Sequence, residues 1–299
     1  MLSKSNHYGI RGITLNWFES YLENREQYVT YNSTKSSKSK ISYGVPQGSI
    51  LGPLLFLIYI NDLSTVSDAT FPVLFADDTN LFYTGDKLDE LVSNINTELQ
   101  KIVEWLECNK LSLNITKTHY IIFCNRGKII NDLPIKLKNE YIERVYFTKN
   151  LGVLIDASLS WKYHIDYTTK KIAKCIGILC KARKVLNVST LVSLYYSFVY
   201  PYYIYCSHIW GNTYTTNLNK LVLQQKKVIR IITCSKFRTG THELFVNIAF
   251  LKYTISSDMS KGYSCFSLMM INYHRYLVGS ILETGTSMVM APGQQMISA

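Results

Sequence analysis

The chain has 299 residues, of which 47% are apolar and only 18% carry a charge. This composition excludes an intrinsically disordered protein, and the length is sufficient for two domains. The seven cysteines are scattered and include no Cys-x-x-Cys pair, which argues against both a disulfide framework and a structural zinc site. The cysteine usage therefore favours a reduced, intracellular setting, in the nucleus or the cytoplasm.

The net charge of +11 is concentrated in one region. Residues 161–240 contain thirteen Lys and Arg and a single acid, Asp166, which gives a local charge of 13 − 1 = +12. A surface of this kind favours a polyanionic partner. We expect neither a signal peptide nor a membrane span. The least polar run, Leu191 to Cys206, has 16 residues with Pro201 and six tyrosines, which suits a buried helix better.

The first part of the chain predicts a helix followed by two strands. Residues 13–24 have helical spacing of their apolar side chains. Gln27–Asn32 and Lys40–Val45 have the composition of strands, and the serine- and lysine-rich run at 33–39 predicts a flexible turn between them.

A glycine-rich segment at 44–53 precedes an apolar run at 54–60. Pro53 suits the first turn of a helix, so the run predicts a buried helix. The glycines have two interpretations that the residues alone leave open. They form either an ordinary loop and helix cap, or a bare backbone against which a base or nucleotide lies, with Gln47 as a neutral hydrogen-bonding side chain.

The segment 73–82 consists of two apolar runs separated by Asp77 and Asp78. It predicts a β-hairpin with the two acids at its tip. Asp-Asp is a poor turn sequence, because two-residue turns favour Asn-Gly or Asp-Gly and because the two charges repel each other. The pair is therefore either a solvated acidic loop or a ligand for a divalent cation.

The remaining elements alternate between packing helices and short strands. Apolar spacing of three and four residues predicts a long amphipathic helix over 88–106. Lys117 precedes a predicted strand, His119–Cys124, and residues 150–156 form another. From 161 to 240 the pattern is helical, with a break at Pro201 and one basic face. The basic residues assigned to that face are Lys170, Lys171, Lys174, Lys181, Lys184, Lys226, Lys227 and Arg230.

Four motifs occur in a recognisable order: Gly-Val-Pro-Gln-Gly-Ser-Ile-Leu-Gly-Pro at 44–53, Phe-Ala-Asp-Asp at 75–78, Leu-Asn-Ile-Thr-Lys-Thr at 113–118 and Asn-Leu-Gly-Val at 150–153. Together they resemble the reverse transcriptase domain of non-LTR (LINE-type, jockey-like) retrotransposons, over roughly residues 6–250. The resemblance implies an α+β fold: a polymerase palm with an antiparallel sheet and packing helices, followed by an all-α basic thumb.

The resemblance also implies roles for individual residues. Asp77 and Asp78 correspond to the catalytic, metal-binding acids, and Lys117 to a lysine near the leaving pyrophosphate. Residues that contact the template and the incoming nucleotide would be Pro46, Gln47 and Gly48. The primer-grip hairpin would contain Leu151, Gly152 and Val153, and the basic residues of 161–240 would follow the duplex. The implied cofactors are two Mg²⁺ or Mn²⁺ ions; the implied partners are an RNA template, a DNA primer and dNTPs, with no membrane.

The domain organisation implied by the resemblance has four parts. Residues 1–40 would connect fingers and palm, 41–160 would form the palm, 161–253 the thumb, and 254–299 a divergent, poorly ordered tail. The strand that carries the opposing metal-binding acid in the family lies upstream of the segment that matches 7–12. We therefore expect the chain to be N-terminally truncated, to expose a bare apolar edge beside the Asp77 hairpin, and to lack polymerase activity by itself.

Three functions remain open at this point: a polymerase fragment that needs upstream sequence, a nucleic-acid-binding module without catalysis, and a relic of a decayed element.

Overall fold

The computed structural model describes residues 1–41, 44, 45, 48–124, 130–247, 286–291 and 297–298. Helices and strands are mixed along the chain, in agreement with the predicted class. Two compact units are present: unit 1 comprises Met1–Tyr120, Ile129–Arg144 and Ser287–Ala299, and unit 2 comprises Ile121–Lys128 and Val145–Thr286.

The helices and strands of the described residues follow in chain order. The helices are α1 Leu2–His7, α2 Ile13–Leu22, α3 Leu51–Ile60, α4 Leu88–Cys108, α5 Lys162–Ala182, α6 Val188–Phe198, α7 Tyr200–Ile204, α8 Ser207–Trp210, α9 Thr215–Ile232 and α10 His242–Asn247. The strands are β1 Glu26–Gln27, β2 Thr30–Tyr31, β3 Thr34–Lys35, β4 Ser39–Lys40, β5 Phe71–Phe75, β6 Asp78–Thr84, β7 Leu111–Ser112, β8 His119–Cys124, β9 Lys136–Leu137, β10 Glu140–Tyr141, β11 Glu143–Arg144, β12 Phe147–Asn150, β13 Val153–Asp156, β14 Thr286–Ala291 and β15 Ile297–Ser298.

The largest sheet among the described residues has five strands in the order β11-β8-β14-β6-β5. The pairs β5–β6 and β6–β14 are antiparallel, whereas β11 and β8 are parallel. The sheet is therefore mixed, and the prediction of a purely antiparallel sheet was wrong. β11 joins β8 after the chain has passed through the β9–β10 hairpin, and this connection allows the parallel orientation.

The core of unit 1 lies on the apolar face of α4. The predicted spacing of three and four residues is confirmed, because the side chains that it places on one face are buried. These side chains are Leu91, Ile95, Leu99, Ile102, Val103 and Leu106. Helix α4 contacts β6, β7 and β9, and the fully buried Phe82 of β6 belongs to the same core.

Helix α1 is fixed to unit 1 by one lysine. The Lys4 ammonium lies 2.7 Å from Asp62 Oδ1 and donates to the Tyr59 carbonyl oxygen at 2.8 Å. The same ammonium lies 4.6 Å from the ring centre of Tyr59 and 4.7 Å from that of Trp105. Asp62 therefore has a structural role.

Two local predictions in unit 1 were wrong. The loop at 33–39 contains strands, because the turn is formed by Asn32 and Ser33, whose positive φ angles of 46° and 63° create a tight hairpin between β2 and β3. Helix α3 was expected to be buried. Its residues Leu54 and Leu57 are each 49% exposed, because its packing partner α1 covers one face only.

The last part of the chain contributes two short strands. Within 254–299, the structure describes β14, which pairs with β6, and β15, which pairs with β7. The edge of β6 that was expected to be bare is consequently occupied. The strand β14 has the sequence Thr-Ser-Met-Val-Met-Ala, which is compatible with a buried strand because it contains no charge and no proline.

Unit 2 combines the β12–β13 hairpin with helices α5 to α10. The chain turns at Pro201, in the first turn of α7, as predicted. Helices α5 and α9 form the main helix pair, and α5 also contacts β13. The hairpin at 147–156 therefore lies in the same unit as these helices.

Candidate functional site

The paired acids lie at a tight turn between β5 and β6. Phe75 pairs with Asp78, so the two turn residues are Ala76 and Asp77, and Asp78 is the first residue of β6. The sequence predicted Asp77 and Asp78 at the tip, but the turn lies one position earlier, at Ala76 and Asp77. Ala76 has φ +52°, a conformation that costs a non-glycine residue about 1 kcal/mol. Backbone strain of this kind is concentrated at functional sites.

The ionisation of Asp78 is affected by its surroundings and by Asp77. Both side chains are half-buried. Burial, and in second place the negative charge of Asp77, raise the pKa of Asp78 above its usual range. The turn thus holds two like charges in a partly desolvated position, an arrangement that a bound cation would stabilise.

The donor set of this turn suits a single divalent ion. Mg²⁺ is commonly bound through one or two carboxylates, while waters and substrate phosphates complete its octahedron. In the described ranges, no group of three or more His, Cys, Asp or Glu is arranged to hold a metal. Asp77 and Asp78 therefore provide some of the ligands of one ion. They do not provide the ligands of two ions about 4 Å apart, which two-metal chemistry requires.

The predicted nucleotide-binding loop is only partly described. Pro46 and Gln47 lie outside the described residues. Gly48 has φ +79°, and a Cβ built on it would meet no atom within 4 Å, so this glycine serves the backbone turn. The Ser49 hydroxyl accepts a hydrogen bond from Gly52 N–H at 3.0 Å, which supports the interpretation of this segment as a cap of α3.

Lys117 is exposed at the end of a 3-10 turn, Ile115–Lys117, directly before β8. Its carbonyl oxygen lies 3.2 Å from Nδ1 of His119. Thr118 is buried, and its hydroxyl donates to the Asn114 carbonyl oxygen at 2.9 Å. The turn is thus fixed by its own side chains, and it presents Lys117 to solvent.

The segment predicted as a primer grip is a tight hairpin in unit 2. Leu151 and Gly152 connect β12 and β13 with φ +47° and +89°, which is the type I′ pattern. The Tyr205 hydroxyl donates to the Leu151 carbonyl oxygen. Burial raises the pKa of Tyr205 well above its usual value, which keeps the phenol protonated as a donor. A Cβ on Gly152 would lie 3.3 Å from Cε1 of the same ring.

A cavity of about 280 Å³ opens beside this turn within unit 2. Its lining includes Lys149, Gly152, Tyr202 and Tyr205, and Tyr167 adds another aromatic ring. Lys149 Nζ and Lys171 Nζ lie 5.7 and 5.4 Å from the ring centre of Tyr167. Aromatic rings combined with cationic side chains also occur in grooves that bind single-stranded nucleic acid.

The predicted basic residues lie on α5, on α9 and in the turn after α5. Five are exposed: Lys170, Lys174, Lys181, Lys184 and Lys227. The other three, Lys171, Lys226 and Arg230, are half-buried. Arg230 is partly used within the unit, because its Nε donates to the Thr239 carbonyl oxygen at 3.0 Å. The only acid of this region, Asp166, forms an ion pair with Lys220.

Two positioning residues were missed by the sequence analysis. Asp156 is 2% exposed, and its carboxylate accepts hydrogen bonds from Ser158 Oγ, from Ser160 N and Oγ, and from Trp161 N. It thereby joins β13 to α5. The Asp-x-Ser-x-Ser pattern before a helix was an available signal. The contact between Tyr205 and Leu151 had no such signal, because 54 positions separate the two residues.

Unit 1 thus contains a hairpin with two adjacent, half-buried acids, and unit 2 contains the basic helices α5 and α9. The sequence model described as "Reverse transcriptase (RNA-dependent DNA polymerase)" matches residues 2–172, more than half of the chain. The chain therefore belongs to the reverse transcriptase family. Members of this family generally use divalent metal ions and act on template, primer and dNTPs.

The relatives found in Drosophila melanogaster are RNA-directed DNA polymerases of non-LTR retrotransposons. The chain is 28% identical to the probable RNA-directed DNA polymerase from transposon X-element over 232 residues, 75% of this chain and 25% of that protein. It is 27% identical to the probable RNA-directed DNA polymerase from transposon BS over 281 residues, which are 88% of this chain and 30% of that protein. It is 26% identical to the RNA-directed DNA polymerase from mobile element jockey over 238 residues, which are 76% of this chain and 26% of that protein.

The chain thus spans between a quarter and a third of the length of these relatives. No solved structure matches it at a significant level. Among the described residues, no helix combines the length and the apolar character that crossing a membrane requires.

Proposed function

We propose that the chain serves RNA-directed DNA synthesis of a non-LTR retrotransposon. Unit 2 would hold the RNA–DNA duplex, and the turn at Asp77 and Asp78 would form one side of the site of nucleotidyl transfer. By itself, the chain binds duplex and does not extend a primer. The observation that carries this proposal is the strained β5–β6 turn, which holds two carboxylates in a half-buried position where burial and the charge of Asp77 raise the pKa of Asp78.

The remaining site residues receive their roles in the same proposal. Pro46, Gln47 and Gly48 would lie against the template and the incoming nucleotide, and Lys117 would neutralise the leaving pyrophosphate. The turn at 151–153 would hold the primer end. In support of the last role, the backbone of that turn is locked by Tyr205, and an aromatic, lysine-containing cavity opens beside it.

Unit 1 would be the palm and unit 2 the thumb, with the β12–β13 hairpin as part of the thumb. The basic residues of α5 and α9 would contact phosphates without reading the sequence. Support comes from their charge and exposure, since five of the eight predicted residues are exposed and the one acid of the region is paired.

The duplex-binding part is tested by charge reversal. We expect the triple variant Lys170→Glu, Lys174→Glu and Lys181→Glu to weaken binding of an RNA–DNA duplex. It should also lower the slope of log K against log salt by about 2–3, since each phosphate contact contributes about 0.9. Fluorescence anisotropy over a salt series measures both.

The matched control carries the same change of six charge units in unit 1. Lys35→Glu, Lys38→Glu and Lys40→Glu alter exposed residues of the small hairpins and should leave the slope close to that of the unaltered protein. Equal losses in the two triple variants would show that only net charge matters and would contradict a binding face on α5.

The catalytic part is tested by primer extension with Mg²⁺ and with Mn²⁺. We expect no extension by the chain alone, because the described residues supply carboxylates for one ion only. Extension that disappears in Asp77→Ala would show that the chain contains a complete site, and the second half of the proposal would be wrong while duplex binding stands.

A further inference from the structure

The cavity beside the turn between β12 and β13 has a buried polar floor and an exposed aromatic rim. Its volume of about 280 Å³ is far larger than the roughly 10–15 Å³ that one water molecule needs, and it lies just below the roughly 300–1,000 Å³ of ligand pockets. His164 and Thr168 line it and are 4% and 3% exposed. Tyr202 and Tyr205 also line it and are 36% and 41% exposed. The space therefore suits a single ring system that enters from the side of the tyrosines.

Two polar groups on this floor have no hydrogen-bond partner among the described residues. Nδ1 of His164 accepts from Leu154 N–H at 3.3 Å, and burial keeps the ring neutral by lowering its pKa, so the proton of the ring is on Nε2. No described residue forms a hydrogen bond with this Nε2–H or with the Thr168 hydroxyl. The two residues are four positions apart on α5 and therefore lie on one face. Buried polar groups without partners are costly, so a ligand with hydrogen-bonding atoms at its edge would stabilise the floor.

The rim of the cavity carries positive charge. Lys149 and Tyr167 line the cavity, and the ammonium groups of Lys149 and Lys171 lie 5.7 and 5.4 Å from the ring centre of Tyr167. Neither ammonium group forms an ion pair with a carboxylate of the described residues. An anionic group at the mouth of the cavity would therefore be attracted without displacing an internal partner.

We propose that this cavity binds one unpaired nucleotide, with its base against the tyrosine rings and its phosphate at Lys149. A nucleobase combines an aromatic face, which stacks on tyrosine, with hydrogen-bonding atoms at its edge, which reach His164 and Thr168. The base is unpaired, because a Watson–Crick partner would occupy that edge. The inference rests on the proposed nucleic-acid binding of unit 2 for the class of ligand, and it adds a site that phosphate contacts with a duplex do not require. The nucleotide is either free or at the end of a strand, and the test distinguishes these two sources.

The test uses the full chain and two fluorescent probes. The first probe is the free monophosphate of 2-aminopurine riboside, whose fluorescence falls when the base stacks on an aromatic ring. The second is an RNA–DNA duplex with one unpaired 2-aminopurine nucleotide at the end of a strand. We expect saturable quenching; with the first probe it indicates a site for free nucleotides, and with the second a site for a strand end. Absence of quenching with both probes overturns the proposal.

Substitutions at the rim and on the floor assign the quenching to this cavity. We expect Tyr202→Ala to weaken binding about 5-fold or more, because one stacked ring is lost, and Tyr202→Phe to retain the affinity. Tyr214→Ala removes an exposed ring outside the cavity and is the matched control.

Thr168→Val keeps the shape of the floor and removes its hydroxyl. We expect binding about 3- to 10-fold weaker, the effect of one hydrogen bond, with an unchanged melting temperature. The matched control is Thr169→Val, because the Thr169 hydroxyl also has no partner among the described residues and does not line the cavity. If both Tyr202→Ala and Thr168→Val bind the probes as well as their controls, the proposal is overturned.

Lys149→Gln tests the position of the phosphate. It should weaken binding of the free monophosphate and leave binding of 2-aminopurine riboside, which has no phosphate, unchanged; Lys162→Gln, at an exposed lysine outside the cavity, should change neither. Equal losses for both ligands would contradict the assignment of the phosphate to Lys149. Quenching in a protein that does not bind duplex would contradict the proposed function and leave this site standing, whereas duplex binding without quenching would overturn this site alone.

Discussion

Tyr205 is the residue after α7, and its hydroxyl donates a hydrogen bond to the carbonyl oxygen of Leu151 in the turn between β12 and β13. Leu151 has a positive φ angle, which is unfavourable for a branched side chain. The tyrosine therefore stabilises a backbone conformation that the turn sequence alone would favour weakly. It also connects the hairpin to the helices of unit 2.

Removing the Tyr205 hydroxyl should loosen the turn. We expect Tyr205→Phe to lower the free energy of unfolding of unit 2 by about 1 kcal/mol, the usual net value of one hydrogen bond. Urea denaturation measures the loss, and hydrogen exchange at the Gly152 amide reports where it occurs. Tyr202→Phe is the control, because Tyr202 lines the same cavity and its hydroxyl does not bond to the turn. Equal losses in both variants would speak against a specific lock.

A methyl group at Gly152 should lower stability more than a methyl group at another glycine with a positive φ angle. Gly152→Ala combines an unfavourable φ of +89° with a Cβ 3.3 Å from the Tyr205 ring, and we expect a loss of about 2–3 kcal/mol. Gly48→Ala meets open space at φ +79° and should lose only about 1 kcal/mol. Thermal melting of both variants checks the difference, and a Gly48 variant as unstable as the Gly152 variant would contradict the contact with Tyr205.

The buried carboxylate of Asp156 should be essential for the junction between β13 and α5. Asp156→Asn replaces one of its oxygens by an amide donor that faces existing donors, and we expect unit 2 to lose about 3 kcal/mol. The control is Asp132→Asn, whose carboxylate is 77% exposed in its pair with Arg144 and should change stability by less than about 0.5 kcal/mol. Chemical denaturation distinguishes the two, and a mild effect at Asp156 would refute its assigned role.

The ionisation of Asp78 should lower stability at neutral pH. The pKa of Asp78 is higher in the folded state than the ordinary value of 3.8. The folded state therefore binds more protons there, and its stability falls as the pH rises through this range. We expect Asp78→Asn to raise the melting temperature at pH 7, whereas Asp86→Asn, an exposed acid after the same strand, should not.

Mg²⁺ provides an independent readout of the same pair. It should raise the melting temperature of the unaltered protein and of Asp86→Asn, and the rise should be reduced in Asp78→Asn, because binding of an ion to the folded state adds to its stability. A response to Mg²⁺ that is the same in all three proteins would exclude the Asp77–Asp78 turn as the binding position.

His164 should make unit 2 sensitive to acid. Burial lowers the pKa of His164 to about 4 from the ordinary value of 6.5, and its Nδ1 accepts a hydrogen bond from Leu154 N–H at 3.3 Å. The unfolded chain therefore takes up a proton first as the pH falls from 6.5 to 4. The free energy of unfolding therefore falls by on the order of 3 kcal/mol as the pH is lowered from 6.5 to 4.

We expect His164→Gln to flatten the dependence of unfolding free energy on pH between 6.5 and 4, since glutamine has an acceptor and does not titrate. His242→Gln alters an exposed histidine and should keep the slope of the unaltered protein. Urea titrations at pH 7, 5.5 and 4.5 measure the dependence of the unfolding free energy on pH. An unchanged slope in His164→Gln would show that other groups dominate this dependence.

Features governed by local sequence were predicted well. The amphipathic spacing of α4, the helix break at Pro201 and the hairpin around Asp77 depend on residues within one or two turns of chain, and all three are present. The exact turn was misplaced by one residue, because the sequence gives no sign that Ala76 adopts a positive φ angle. Helix α3 was misjudged, because burial depends on which elements cover it and not on its own apolar content.

The sequence by itself determined the family, through four motifs in order, and the position of the basic region, through a count of charges. Only the tertiary structure decided that β14 pairs with β6, that Tyr205 holds the turn at Leu151, and that the hairpin at 147–156 belongs with the helices. The physical reason is the same in each case. Motifs and charge are properties of neighbouring residues, whereas these contacts join segments from about fifty to two hundred positions apart, and their formation depends on how the whole chain buries its apolar surface.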